Sequence, residues 1–227
     1  MSNNCLVILN PRDVRVAKNA IADLDIAKLW LTGYSEAELA ESVFSWAIEE
    51  SHFDNYLCIS DDAILRAPAL EAIVAALDGG CEVATGYSQR SHTDWTVNVT
   101  SGPLRDTHPT VDAYDFRQFR EVVSWPEPLV PTWFVGMSAT GMSREMWRKY
   151  PFGCFTDGDR STGYASDFHL SRRLQNDRVP VYAVREAFCY HWRNEWRHTN
   201  HPDDDKVLVG QIDPFVTLVP ANGLVLR

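Results

Sequence analysis

Across the first 85 residues, short apolar runs alternate with stretches whose apolar residues recur at helical spacing, and this pattern constrains the fold more than any other feature of the chain. The runs are 5–9 (CLVIL), 26–31 (IAKLWL), 55–60 (NYLCIS) and 81–85 (CEVAT). Between the first two, Val14, Ala17, Ala20 and Ile21 predict a helix over 14–23. Between the next two, the capping box Ser35-Glu36-Ala37-Glu38 precedes an apolar face of Ala40, Val43, Phe44, Ala47 and Ile48, predicting a helix through Glu50. Behind Pro68, at a permissive first-turn position, Leu70, Ile73, Val74 and Leu77 line a third helix that stops at Asp78-Gly79-Gly80. Apolar strands separated by helices imply an α/β fold whose central sheet is mostly parallel, with helices on both faces. Such sheets carry their sites beyond the C-terminal strand ends, where Asn10-Pro11-Arg12 and Ser60-Asp61-Asp62 fall.

Residues 86–135 break the pattern with prolines, polar residues and aromatics. VDAYDF (111–116) and EVVSW (121–125) read as short strands crossing the earlier order. Further on, 143–150 reads as a helix capped by Ser143, 167–176 as a helix capped by Ser166, and 179–184 as a strand. The expected organisation is one domain over 1–192, with a nucleotide-binding half to residue 85 and an acceptor half after it. A C-terminal extension, 193–227, would either wrap back on the domain or close a dimer.

The formal net charge of -10 disfavours binding a phosphate backbone by bulk electrostatics. A phosphorylated substrate would need that repulsion offset, and a divalent cation held by carboxylates would do so. The five cysteines form no CxxC or CxxH pair, which argues against a disulfide framework or structural zinc. Cys5, Cys58 and Cys81 read as buried thiols in a reducing compartment. The N-terminal stretch has neither a basic leader region nor a spanning apolar run, so the expected location is cytoplasmic.

Asp61-Asp62 is the main chemical signal. Two carboxylates between apolar runs must reach water, donors or a cation, because an unpaired buried charge is costly. Magnesium or manganese takes such oxygen ligands and bridges to phosphates. The plainer alternative is a loop pair that caps the Pro68 helix. Asp167, in the first turn of its helix, is either a cap or a general base for an acceptor hydroxyl. His191, after the run AFCY, is either a ligand for metal or phosphate, or a structural histidine. His198, His201 and Asp203-Asp204-Asp205 read as solvated, and Asp157-Gly158-Asp159 as a turn. Trp133 and Phe134, just before Gly136, are either core or the acceptor-side wall.

The order of these features resembles the glycosyltransferase family 2-like group with the GT-A fold, in segments spread over residues 4–192. CLVILNPR matches the entry strand and loop, and YLCISDDAI the strand leading to the acidic DxD motif. FVGMSATGMSREMW and then YASDFHLSRRLQ match the later glycine-containing stretch and the acid-led helix. The resemblance implies metal-dependent transfer of a sugar from a nucleotide sugar donor to an acceptor hydroxyl, with inversion. Asp62 and His191 would ligate Mn2+ or Mg2+, and Asp61 would contact the donor's ribose or sugar. Asp167 would be the base, and Pro11 and Arg12 would border the nucleoside. Trp133, Phe134 and Gly136 would lie on the acceptor side. The acceptor could be a glycan, a small molecule, a protein or a modified nucleic acid base, and a homo-oligomer is compatible with the sequence. Two departures stand out: Ser60 replaces the first acid of the DxD, and Ser166 the first acid of the later pair.

A nucleotidyltransferase would share the paired acids but usually shows a glycine-rich loop after the first strand, and NPRDVRVAKN has none. A non-catalytic nucleotide- or carbohydrate-binding accessory protein is the rival outside enzymes.

Overall fold

The computed structural model describes residues 2–10, 15–33, 38–90, 95–103, 105, 115–153, 156–157, 160–161, 166–193, 197–198 and 224–226. Pro11, Arg12, Ser35, Cys154, Asp159, His201 and Asp203 to Asp205 lie outside the described residues. In chain order the elements are β1 (Asn4–Leu9), α1 (Arg15–Ala22), β2 (Ala27–Leu31) and a π-helical turn (Leu39–Val43) that continues as α2 (Phe44–Glu50). Then come β3 (Asn55–Ser60), β4 (Ala63–Ile64), α3 (Ala67–Asp78), β5 (Val83–Tyr87), β6 (Thr96–Thr100), β7 (Phe116–Gln118) and α4 (Phe119–Val123). They are followed by β8 (Leu129–Thr132), β9 (Ser138–Ser143), α5 (Arg144–Lys149), β10 (Thr156–Asp157), β11 (Arg160–Ser161) and α6 (Ser166–Asn176). The last are β12 (Val181–Phe188), β13 (Tyr190–Arg193), β14 (Arg197–His198) and β15 (Leu224–Leu226).

Side chains along β1 alternate between two cores, as a period of two requires. Leu6 and Ile8 pack with Ile21 of α1, with Leu70, Ile73 and Leu77 of α3, and with Phe119 and Val122 of α4. Cys5, Val7 and Leu9 pack with Phe44 and Ala47 of α2, with Trp147 of α5, and with Leu170 and Leu174 of α6. Helices therefore cover both faces.

The sheet order is β15-β2-β1-β3-β9-β5-β12-β8. β15, β2, β1 and β3 run parallel, as do β5 and β12. β9 lies antiparallel between β3 and β5, and β8 antiparallel beside β12. The sheet is thus partly parallel, and β9 and β8 are the strands that depart from the expected parallel order. The small and polar residues of β9, SATGMS, carry no apolar strand pattern. It is nevertheless buried at its first five positions.

EVVSW is not a strand: 119–123 is helical, because Gln118 and Glu121 form a reciprocal capping box. Ser166 is the first helical residue of α6 rather than its cap. Cys81 is half-buried and precedes β5, whereas Cys5, Cys58 and Cys189 are buried as free thiols. Burial pushes the Cys5 thiol up to about 12, and Cys58 and Cys189 upward as well, so none of the three is a ready nucleophile. No described helix is long and apolar enough to cross a membrane.

Candidate functional site

Parallel pairing sets the C-terminal ends of β1, β2 and β3 side by side: Leu9 is level with both Leu31 and Ser60. The chain leaves β3 through a tight turn at Asp61-Asp62, and Asp61 N–H donates to Leu9 O at 2.9 Å. The two-residue strand β4 then pairs antiparallel with β13, with Ala63 opposite His191. That pairing draws His191 against the turn, and His191 Nε2 lies 3.1 Å from Asp62 Oδ2. The N-cap position of α3 is Arg66, which makes no side-chain cap bond.

The two aspartates face different surroundings. Asp61 continues the inward alternation of Leu57 and Ile59 and is fully buried. Lys18 of α1 is also buried, with its ammonium 5.9 Å from the Trp30 ring centre. Burial lowers the Lys18 pKa, and the Asp61 charge partly restores it. Among the described residues the buried Asn10 Oδ1 and Trp30 Nε1 have no hydrogen-bond partner, and both belong to the same strand ends. A direct donor contact by Asp61 would require its cover to open. Asp62 keeps 12% side-chain exposure and His191 29%, so this pair is the accessible part.

The 3.1 Å spacing is that of a hydrogen bond, and it is also near the about 3.0 Å between two ligands at a right angle on an octahedral ion. Among the described residues, no group of three His, Cys, Asp or Glu side chains is arranged to hold a metal ion. One carboxylate with one imidazole would leave most positions of such an ion to water and substrate phosphates.

Asp167 sits in the first turn of α6, where its Oδ1 accepts the Phe168 N–H at 2.8 Å. This supplies part of the capping role that its position predicts. Segment 133–137 connects its region to the acid turn. Ser171 Oγ accepts the Val135 N–H at 2.9 Å and donates to Asp167 O at 2.6 Å. Two residues beyond Val135, Met137 O accepts the Ser60 N–H at 2.8 Å. Phe134 is buried, with ring contacts to Phe116 and Phe168 at 5.9 and 5.1 Å, so it is packing material, while Trp133 stays partly exposed. At Gly136 a Cβ would stand 2.3 Å from Asn98 Nδ2, so any larger residue requires the Asn98 side chain to move.

Sequence reasoning missed the residues that hold this segment. Thr132 Oγ1 and Thr100 Oγ1 are 3.1 Å apart, and Thr100 Oγ1 accepts the Trp133 N–H. Thr140 Oγ1 donates to Gly136 O at 2.7 Å and lies 2.9 Å from Thr85 Oγ1. Ser88 and Ser138 hydroxyls are 3.1 Å apart, and Asn98 Oδ1 accepts the Ser88 N–H. These threonines and serines look like surface residues in sequence. The only signal was their clustering in β6 and β9, TVNVT and SATGMS.

No protein-family profile and no curated protein sequence matches the chain. Solved structures do match. GalNAc-T7, solved with UDP, GalNAc and Mn2+, superposes with a TM-score of 0.57 at 7% identity, over 86% of this chain and 45% of its own length. Glucosyl-3-phosphoglycerate synthase from Mycobacterium tuberculosis, solved with phosphoglyceric acid, gives 0.53 at 13% identity, over 85% of this chain and 73% of that one. A197 from STIV gives 0.53 at 15% identity, over 87% and 89%. At these identities the likeness is one of fold, and the fold is GT-A-like, that of nucleotide-sugar glycosyltransferases.

Proposed function

We propose that the chain transfers a sugar from a nucleoside-diphosphate sugar to an acceptor hydroxyl, with inversion. The observation that carries this reading is the Asp62–His191 pair, closed by β4 and β13 at the strand ends of a GT-A-like sheet. Asp62 and His191 would hold Mn2+ or Mg2+. When bound, the cation supplies positive charge against the departing diphosphate. Asp167 takes the proton of the acceptor hydroxyl, whose oxygen bonds to the anomeric carbon as the bond to the diphosphate oxygen breaks. Pro11 and Arg12, which follow β1 in the sequence, would border the nucleoside. Asp61 and Lys18 sit beneath the turn and fix its charge, and Trp133 offers a face to the acceptor.

Calorimetry with UDP- and GDP-sugars, with and without manganese, tests this. At least one should bind with manganese, and Asp62→Asn should abolish that dependence. Asp167→Asn should keep donor affinity and lose transfer, and equal transfer by that variant would remove Asp167 as the base. Failure of every nucleotide sugar to bind would sink the enzyme reading.

A further inference from the structure

Away from the acid turn lies a cleft of about 240 Å³, lined by Thr132, Trp133, Gln175, Arg178, Pro180 and Tyr182, among others. It opens at the N-terminal end of β12, whereas His191 follows that strand's C-terminal end. Val181 and Phe188 are seven steps apart, about 23 Å at strand rise, so the cleft is separate from the Asp62–His191 pair. It is closer to Asp167. Residues 167, 171 and 175 recur every four positions on α6, and Gln175 is about 12 Å along the helix from Asp167. Segment 133–135 runs beside this stripe, with Val135 at Ser171 and Trp133 in the cleft with Gln175.

Arg178 is the unusual residue. Helix α6 ends in a Schellman-type closure, with Val179 N–H donating to Leu174 O and Arg178 N–H to Gln175 O. Position 178 therefore takes a left-handed backbone, φ 57°, where glycine or asparagine is the usual choice. Arginine carries a Cβ, so this backbone is strained there. Among the described residues its guanidinium has no hydrogen-bond or ion-pair partner. The neighbouring Asp177 makes no ion pair with it among the described residues; its carboxylate accepts the Tyr150 hydroxyl at 2.8 Å. The cleft thus combines two aromatic side chains, Trp133 and Tyr182, with an unpaired cationic fork in an otherwise acidic chain.

We infer that this cleft binds an anionic saccharide, with a sugar face on the aromatics and a carboxylate or phosphate on Arg178. This deepens the proposed function, on which it rests for the word acceptor: the acceptor is a charged oligosaccharide whose far end lies here while its reacting hydroxyl reaches Asp167.

Saccharide binding is measured without donor or metal, by saturation-transfer NMR and calorimetry. The probes are trigalacturonic acid, mannose 6-phosphate and neutral cellotriose. At least one anionic probe should bind, about tenfold or more tighter than cellotriose. Arg178→Gly should weaken that binding by a similar factor while raising the melting temperature by roughly 2 °C, because glycine accepts the left-handed backbone. A purely structural arginine would not separate the two readouts in this way. Trp133→Leu should weaken every saccharide that binds. The inference is overturned if neither anionic probe binds, if cellotriose binds equally well, or if Arg178→Gly leaves affinity unchanged. Donor binding with manganese, measured on the same samples, separates the two readings. Its loss with saccharide binding intact defeats the transferase alone, and the reverse result defeats only the cleft.

Discussion

The β1–β3 half and the seam between β5, β6 and β9 lie in one sheet system but are fastened differently. In β1, β2 and β3 the strand ladder is flanked by aliphatic side chains on both faces, and nearly every position is buried. In the seam, segment 132–138 is tied by Thr85, Ser88, Asn98, Thr100, Thr140 and Ser171, each bonding to a backbone group or another hydroxyl. Apolar packing is non-directional and tolerates repacking, whereas hydroxyls fix geometry and leave a costly orphan when removed. The contrast teaches that the seam is built for position more than for stability, as suits a segment that links Asp167 to the acid turn.

The largest break should come from the packed half. Trp147 is buried between Phe44 and Phe152, and its Nε1 donates to Tyr56 O at 2.8 Å. Trp147→Ala should cost about 3–5 kcal/mol in urea unfolding. Next is the seam's tightest point. A Cβ at Gly86 would meet Ser138 O at 2.7 Å, Cys189 Sγ at 2.9 Å and Ala187 O at 3.1 Å, two of them backbone atoms that cannot rotate away. Gly86→Ala should therefore cost about 1–3 kcal/mol by the same measurement. Ser171→Ala strands the buried Val135 N–H and should cost about 1–2 kcal/mol. If the seam is a positioning device, Ser171→Ala should also depress transfer beyond what its melting curve explains. The smallest effect has the opposite sign. Ala139, buried at the bulge between β3 and β9, has φ 90°. Ala139→Gly should gain up to about 1 kcal/mol, and a loss of stability would show that its methyl packing outweighs the backbone strain.

The same contrast marks how far the sequence could be read. Strands 5–9 and 55–60 and the Pro68 helix were legible because burial on both faces writes itself as an apolar run or stripe. The π-helical turn at Leu39–Val43, closed by Phe44 N–H to Leu39 O, leaves the apolar face nearly unchanged and so was invisible. β9 was invisible because its burial is satisfied by hydroxyls and glycine. At the site, the pairing of Asp62 with His191 depends on β4 and β13, which are too short to show periodicity and are 126 residues apart from Ile64 to Tyr190. Only the resemblance put His191 beside the acids.

Proline 131 has a consequence for assembly. β8 is the last strand on its side of the sheet among the described residues. Arg185 N–H donates to Pro128 O, so alternate residues 128, 130 and 132 turn their polar groups toward β12, while 129 and 131 turn theirs outward. Pro131 has no N–H, so across these four residues the open edge presents a single amide donor, that of Leu129. A strand arriving from another chain finds one of the two expected amide donors missing. Copies of this protein that associate would meet through some surface other than a continued sheet on this flank.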